Sequence, residues 1–254
     1  MQVKIIGGHG GVTKNYNATS YLIDDSLLID AGSVASGLDI VDQLAIDYIL
    51  ISHAHLDHTK DLAFICDNCF GLKDQAFEVY THKTVHKAIK DHLFNETIWP
   101  DFSKLPSINK PTMRFNNIES EKVLKLGKYK VTPVHVNHPG DAMGFIIDDG
   151  ATSIVFTQDT KSTERIWEVA KGLNNLKAIF TEVSFPNKLQ KIADISDHHT
   201  PISIQKELQK MPKEVPVYLG HIKPNYQEEL IQEITDLGES RLHIMYADDV
   251  RYNF

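Results

Sequence analysis

The chain is 254 residues long, more than one average domain but within the reach of a single layered unit, so one domain over residues 1–254 is the expected organisation. Hydrophobic residues at 42% and charged residues at 24% are ordinary globular usage and exclude collagen, coiled-coil and wholly disordered chains. Lys and Arg number 26 against 34 Asp and Glu, a net charge of −8, so overall charge draws no polyanion and nucleic acid is not an expected partner.

The opening MQVKIIGG reads as a strand and lacks the basic and apolar regions of a leader, and no stretch approaches the roughly 20 apolar residues of a membrane span. With only 2 cysteines, a reducing cytoplasmic setting and no membrane association are expected. Gly7-Gly8-His9-Gly10-Gly11 lacks the spacing of a phosphate loop and is expected to be a flexible turn at the rim of the site. Residues 18–30 form two apolar stretches joined at Asp24-Asp25, a hairpin closing on the turn Asp30-Ala31-Gly32. Residues 48–52, YILIS, are the continuous apolar run of a strand covered on both faces.

Directly after it comes Ser52-His53-Ala54-His55-Leu56-Asp57-His58, with four potential ligands in six residues among the 13 histidines of the chain. In an extended segment residues two apart point the same way, so His53 and His55 can hold one metal between them. Asp57 and His58 come as the chain turns toward a helix and diverge to a second position, so one segment can serve two adjacent metals. Cys66 and Cys69 fall on a predicted helix without a second pair and read as ordinary thiols, while His82, His86 and His92 fall on a predicted helix over 81–93 as a polar face. The loop from 93 to 110 carries Phe94, Trp99 and Phe102; such rings can stack on a base or anchor the loop to the core.

Further strands are expected at 77–81, 129–136, 144–147, 153–157, 178–182, 215–219 and 241–244. Thr200-Pro201 offers an N-cap and a first-turn proline ahead of Ile204, Leu208 and Met211, and 226–237 repeats an apolar stripe that Gly238 ends. Strands followed by helices, twice over, predict two packed sheets with helices on the outer faces.

HAHLDH resembles the HxHxDH signature of the metallo-β-lactamase superfamily, which implies an α+β, four-layer αββα sandwich holding one or two metal ions, most often zinc. The resemblance implies three more ligands at strand ends. They are His138 with His53 and His55 on one metal, His221 with Asp57 and His58 on the other, and Asp159 bridging. His135, which alternation puts on the face of Val131 and Pro133, is the alternative to His138 and otherwise a structural histidine. The sequence departs from the family pattern twice, with Gln158 where Gly-Asp-Thr is usual and Asp61 where glycine usually follows the signature. The donors also accommodate manganese or iron.

Leu56 within the signature looks like the class II cyclic-nucleotide phosphodiesterases, and four further segments resemble that family. They are Phe94-Asn95 with Ile98-Trp99-Pro100, Glu182-Val183-Ser184-Phe185-Pro186-Asn187, His198-His199-Thr200-Pro201 and His221-Ile222-Lys223-Pro224. The resemblance implies a dinuclear hydrolase that opens 3′,5′-cAMP or cGMP to the 5′-nucleotide. Asp57 then orients the hydroxide, His198 assists the leaving alkoxide and Glu182 orients His198, with Trp99, Phe102 and Asn95 facing the substrate. A second copy of the chain is a candidate partner. The alternatives are another hydrolase on this fold (an RNA 3′-processing nuclease, a thioesterase or a lactamase) and a non-catalytic sensor of cyclic nucleotide or metal.

Overall fold

The computed structural model describes residues 1–245 and 248–254. The chain divides into two compact units. One is built from Met1–Gly7, Asn17–Ile118 and the C-terminal strand Val250–Asn253, the other from Gly8–Tyr16, the chain from Glu119 to Met245, and Phe254. Each holds one seven-stranded sheet with helices, so the fold class is α+β as expected.

In the first unit the strands run in the order Val250–Asn253, Gln2–Gly7, Ser20–Ile23, Leu27–Ile29, Tyr48–Ile51, Phe77–His82, Met113–Ile118. The first three neighbouring pairs are antiparallel and the last three parallel. The predicted hairpin is present, and Asp24 and Asp25 turn its loop with φ of 44° and 58°, left-handed values that aspartate tolerates. Ser20–Ile23 and Leu27–Ile29 are buried at every position, as strands covered on both faces must be. Helices Asp61–Asn68 and Lys83–His92 pack Leu62, Ile65, Val85 and Ile89 onto Leu22, Leu28, Ile49 and Val79. The helix expected from 81 starts at Lys83 because His82 completes the preceding strand and sits at the N-cap. Cys66 and Cys69 are both buried, and burial pushes the Cys69 thiol up to about 11.

The second unit repeats the plan, in the order Leu242–Ile244, Val217–Gly220, Leu176–Glu182, Ser153–Phe156, Met143–Asp148, Tyr129–His135, Leu124–Leu126. Three parallel pairs are again followed by three antiparallel ones. Helices Arg165–Lys171, Pro201–Glu207 and Gln227–Asp236 bury Ile166, Trp167, Ile204, Leu230 and Ile234 against Val155, Ile179, Val217 and Leu219. Thr200 and Ser203 form a reciprocal capping box at the start of the second of these helices.

Three of the four edge strands of the two seven-stranded sheets, Val250–Asn253, Met113–Ile118 and Leu124–Leu126, carry no strand signal in the sequence, while the fourth, Leu242–Ile244, falls within the strand expected at 241–244. Edge strands bury few side chains, and here Arg114, Asn117, Lys125 and Arg251 are exposed. No helix among the described residues is long and apolar enough to cross a membrane.

Candidate metal centre

In the first unit the site residues gather where parallel strands end, the side of a sheet at which α/β folds bind ligands. Strand Leu27–Ile29 delivers Asp30, and its parallel neighbour Tyr48–Ile51 delivers Ser52 and the histidine segment beside it. Asp30, fully buried, accepts the Ser52 amide at 2.8 Å on Oδ1, and on Oδ2 it accepts the Ser52 hydroxyl at 2.7 Å and His58 Nδ1–H at 2.7 Å. A carboxylate only accepts, so His58 carries its proton on Nδ1 and its Nε2 bears a lone pair.

The Ser52 hydroxyl proton is spent on Asp30, so its oxygen accepts from His53 Nδ1–H at 2.9 Å and leaves a lone pair on His53 Nε2. That Nε2 lies 3.0 Å from His55 Nδ1. Two ring nitrogens converging in this way fit one cation between them. Gly32 lets this loop close, because a Cβ there would lie 2.0 Å from the Asp57 carbonyl. Asp57 itself is half-buried in the short helix Leu56–Thr59. Asp61 caps the neighbouring chain where the family pattern has glycine: its buried carboxylate accepts the Ala35 amide at 2.8 Å and pairs with Lys60 at 2.7 Å.

The second unit assembles the other half of the expected set. Asp159 Oδ2 lies 3.2 Å from His221 Nε2 and 3.9 Å from His138 Nε2, and Asp159, His198 and His221 offer donor atoms all within 4.8 Å of one another. Glu182, at the end of its strand, accepts His198 Nδ1–H at 2.9 Å and the Ser184 hydroxyl at 2.9 Å. Burial works against charge on His198, but the Glu182 carboxylate, by charge and hydrogen bond, holds its pKa above the ordinary value. Burial likewise opposes the charge on Glu182, and His198 outweighs it and keeps that carboxyl below its usual range. His138 is the opposite case, a ring whose pKa burial pushes down, favouring the neutral form that binds metal.

Three residues of these segments hold left-handed backbone. Asp30, Gln158 and His221 hold φ of 56°, 54° and 56°, in the left-handed region that costs about 1–3 kcal/mol for residues other than glycine. Gln158, which stands where the family pattern has glycine, thus holds a conformation that glycine adopts without strain. The glycine-rich segment after the first strand is no flexible turn: His9 bridges to Ile222, and Gly10 lies so close to His221 that a Cβ would sit 2.8 Å from the ring. Gly10 permits this close backbone approach to a site residue.

His135 does not share the buried face of Val131 and Pro133. It is exposed at the end of its strand, whereas His138 is buried. Among the substrate candidates, Phe102 is corrected by its surroundings: it is 4% exposed and packs edge-on against Phe94 and Phe70, so it anchors the loop and shows no face to a base. Asn95 accepts the amides of Thr97 and Ile98 and shapes the loop. Trp99 is half-buried against Phe64. Sequence reading passed over Asp30 except as a turn residue, and passed over Ser52 and Ser184 as chemistry-bearing groups. Their adjacency to the histidine ligands arises only when parallel strands align.

Residues 27–245 match the family model of the beta-lactamase superfamily domain. A Yersinia pestis protein described as a probable 3′,5′-cyclic-nucleotide phosphodiesterase is 28% identical, over 89% of this chain and 79% of its own. Among solved structures, unliganded yeast PDE1 superposes with a TM-score of 0.80 at 16% identity, covering 97% of both chains. The metallo-beta-lactamase fold protein YhfI from Bacillus subtilis superposes with a TM-score of 0.77 at 19% identity, covering 99% of this chain and 98% of that one.

Proposed function

Because the chain belongs to the beta-lactamase superfamily and is a metal-dependent hydrolase, we propose that it opens the 3′,5′-cyclic phosphodiester of cAMP or cGMP to the 5′-nucleotide. The observation that carries this reading is the buried His198–Glu182 pair beside the Asp159–His221 donors, which puts a proton-carrying ring next to a carboxylate able to hold a metal. The Yersinia pestis relative, matched over 89% of this chain, supports the choice of substrate.

We assign His53, His55 and His138 to one divalent ion and Asp57, His58 and His221 to the other, with Asp159 shared. Zinc is the proposed metal, and manganese and iron suit the same donors. When bound, such a pair supplies a water nucleophile at neutral pH and neutralises charge on the phosphate oxygens. The residues do the rest. Asp57 orients the attacking water. Glu182 fixes His198 through Nδ1, so that Nε2 holds a proton and gives it to the 3′-oxygen as the P–O3′ bond breaks.

Trp99 is the proposed contact for the base. A cleft of about 570 Å³ beside Tyr16, Pro224 and Tyr226, beginning three residues beyond His221, falls in the size range of small-molecule sites. A family model that runs through both units supports treating the chain as one catalytic domain. The cytoplasm is the proposed location.

The test is turnover of cAMP, cGMP and bis(p-nitrophenyl) phosphate by zinc- and manganese-loaded protein, with His55→Ala and Asp159→Ala beside the wild type. Cyclic-nucleotide hydrolysis that both substitutions abolish is expected. Cleavage of the generic diester alone removes the cyclic-nucleotide assignment. Bound metal without turnover of any diester points to thioesters as substrate or to a sensor.

A further inference from the structure

Each unit contains the same four-part arrangement: a buried carboxylate at a strand end, a histidine bonded to it directly, a serine hydroxyl bonded to it, and a second histidine bonded to that serine. In the first unit these are Asp30, His58, Ser52 and His53. In the second they are Glu182, His198, Ser184 and His221. We propose that Ser52 and Ser184 are positioning residues, hydroxyl relays that fix His53 and His221 in the Nδ1–H tautomer and so present Nε2 of each ring as the metal-binding atom. The proposal rests on the metal-hydrolase reading above.

Both hydroxyls are fully buried, so no water competes for them. A hydroxyl has one proton and two lone pairs. For Ser52 the proton goes to Asp30 at 2.7 Å, which leaves its oxygen to accept from His53 Nδ1 at 2.9 Å. For Ser184 two acceptors compete, Glu182 Oε2 at 2.9 Å and the His221 carbonyl at 3.2 Å, and the shorter, charge-assisted bond takes the proton. Its oxygen then accepts from His221 Nδ1–H at 2.8 Å, while His198 Nδ1, 3.2 Å away, donates to Glu182 at 2.9 Å. His221 Nε2 then faces the Asp159 carboxylate at 3.2 Å, where a cation between the two would take the place of a proton. The serine thus passes the demand of a carboxylate on to a second ring. Alanine, without a hydroxyl, cannot perform that task.

Nitrogen-15 NMR of the histidine rings in the metal-free protein is the first readout, and it needs neither substrate nor activity. The wild type is expected to show a proton on Nδ1 of both His53 and His221, whatever the Asp159 carboxylate draws to Nε2 of His221; either ring without its Nδ1 proton overturns the proposal before any variant is made. Ser184→Ala is expected to convert the His221 signals to a mixture of tautomers while those of His53 stay in place, and Ser52→Ala to do the reverse. Metal affinity, measured against a competing chelator, is expected to fall about 10- to 100-fold in each variant, the range for lost outer-shell partners. Ser184→Thr, which keeps the hydroxyl, is expected to stay within about threefold of wild type, less than half the tenfold step of 1.4 kcal/mol. An alanine variant that retains both tautomer and affinity overturns the relay, as does a threonine variant that behaves like alanine while melting as the wild type does. Failure of cyclic-nucleotide turnover sinks the proposed substrate and leaves these readouts to decide the relay.

Discussion

At the scale of single residues, buried carboxylates organise this protein, and each does so by accepting several donors at once. Asp101 is the case outside the site. It is 1% exposed and accepts from Lys90, the Ser103 amide and hydroxyl, and Lys104. Burial alone would raise its pKa, but the hydrogen bonds and charges of Lys90, Ser103 and Lys104 outweigh it and hold the carboxyl at about 2.

The sign of the linkage follows. An unfolded aspartate titrates near 3.9, so the depressed folded value contributes stability that is complete above about pH 4–5 and disappears as pH falls toward 2. Asp101→Asn is therefore expected to lose on the order of 2 kcal/mol at pH 7 and almost none of it relative to wild type at pH 2. Urea unfolding at both pH values checks this, and an equal loss at both would refute the electrostatic account. His198 is a related case within the site, where burial works against the charged form and the Glu182 carboxylate raises the pKa of the ring in spite of it.

At the scale of elements, the ends matter more than the middles. The helix Pro201–Glu207 begins where the chain leaves His198 and His199, and its capping box ties Thr200 to Ser203 in both directions. The His199 carbonyl in turn accepts the Ser184 amide at 3.0 Å, so the start of this helix is fastened to the segment that carries Ser184. Thr200→Ala removes the side-chain half of the box and is expected to cost about 1 kcal/mol, read as a lower urea midpoint with an unchanged slope. The same logic explains which elements the sequence disclosed. Tyr48–Ile51 and Ser153–Phe156 are short apolar runs because they lie inside a sheet, and they were legible. Val250–Asn253 and Met113–Ile118 take strand geometry from one neighbour's hydrogen bonds, and their sequences VRYN and MRFNNI carry too few apolar residues to announce a strand.

At the scale of the whole molecule, a bound metal stabilises the folded chain because the unfolded chain lacks the preformed donor sets. A ligand present at 100 times its dissociation constant contributes about 2.7 kcal/mol per site. With the two proposed sites filled alike that is about 5 kcal/mol, which for a chain of 254 residues is a rise in Tm of roughly 10–20 °C. Zinc is expected to raise Tm by that amount over chelator-treated protein, and His58→Ala and His221→Ala to shrink the rise. A melting curve indifferent to chelator would remove the metal from the account.

What the sequence by itself determined is the local chemistry. HAHLDH is a contiguous segment that sets out four potential ligands, and the continuous apolar strand before it and the Thr-Pro start of a helix are equally local signals. Only the tertiary structure decided that Asp30 stands beside Ser52 and that Glu182, Ser184 and His221 share one network, because these residues meet through parallel strands separated by 22 and 37 positions of chain. It also decided that the glycine-rich segment packs on His221 and that Phe102 is an anchor. Spacing along a chain encodes periodicity, which one strand or helix expresses alone; register between distant strands is set by the sheet as a whole, and with it which hydroxyl a carboxylate finds.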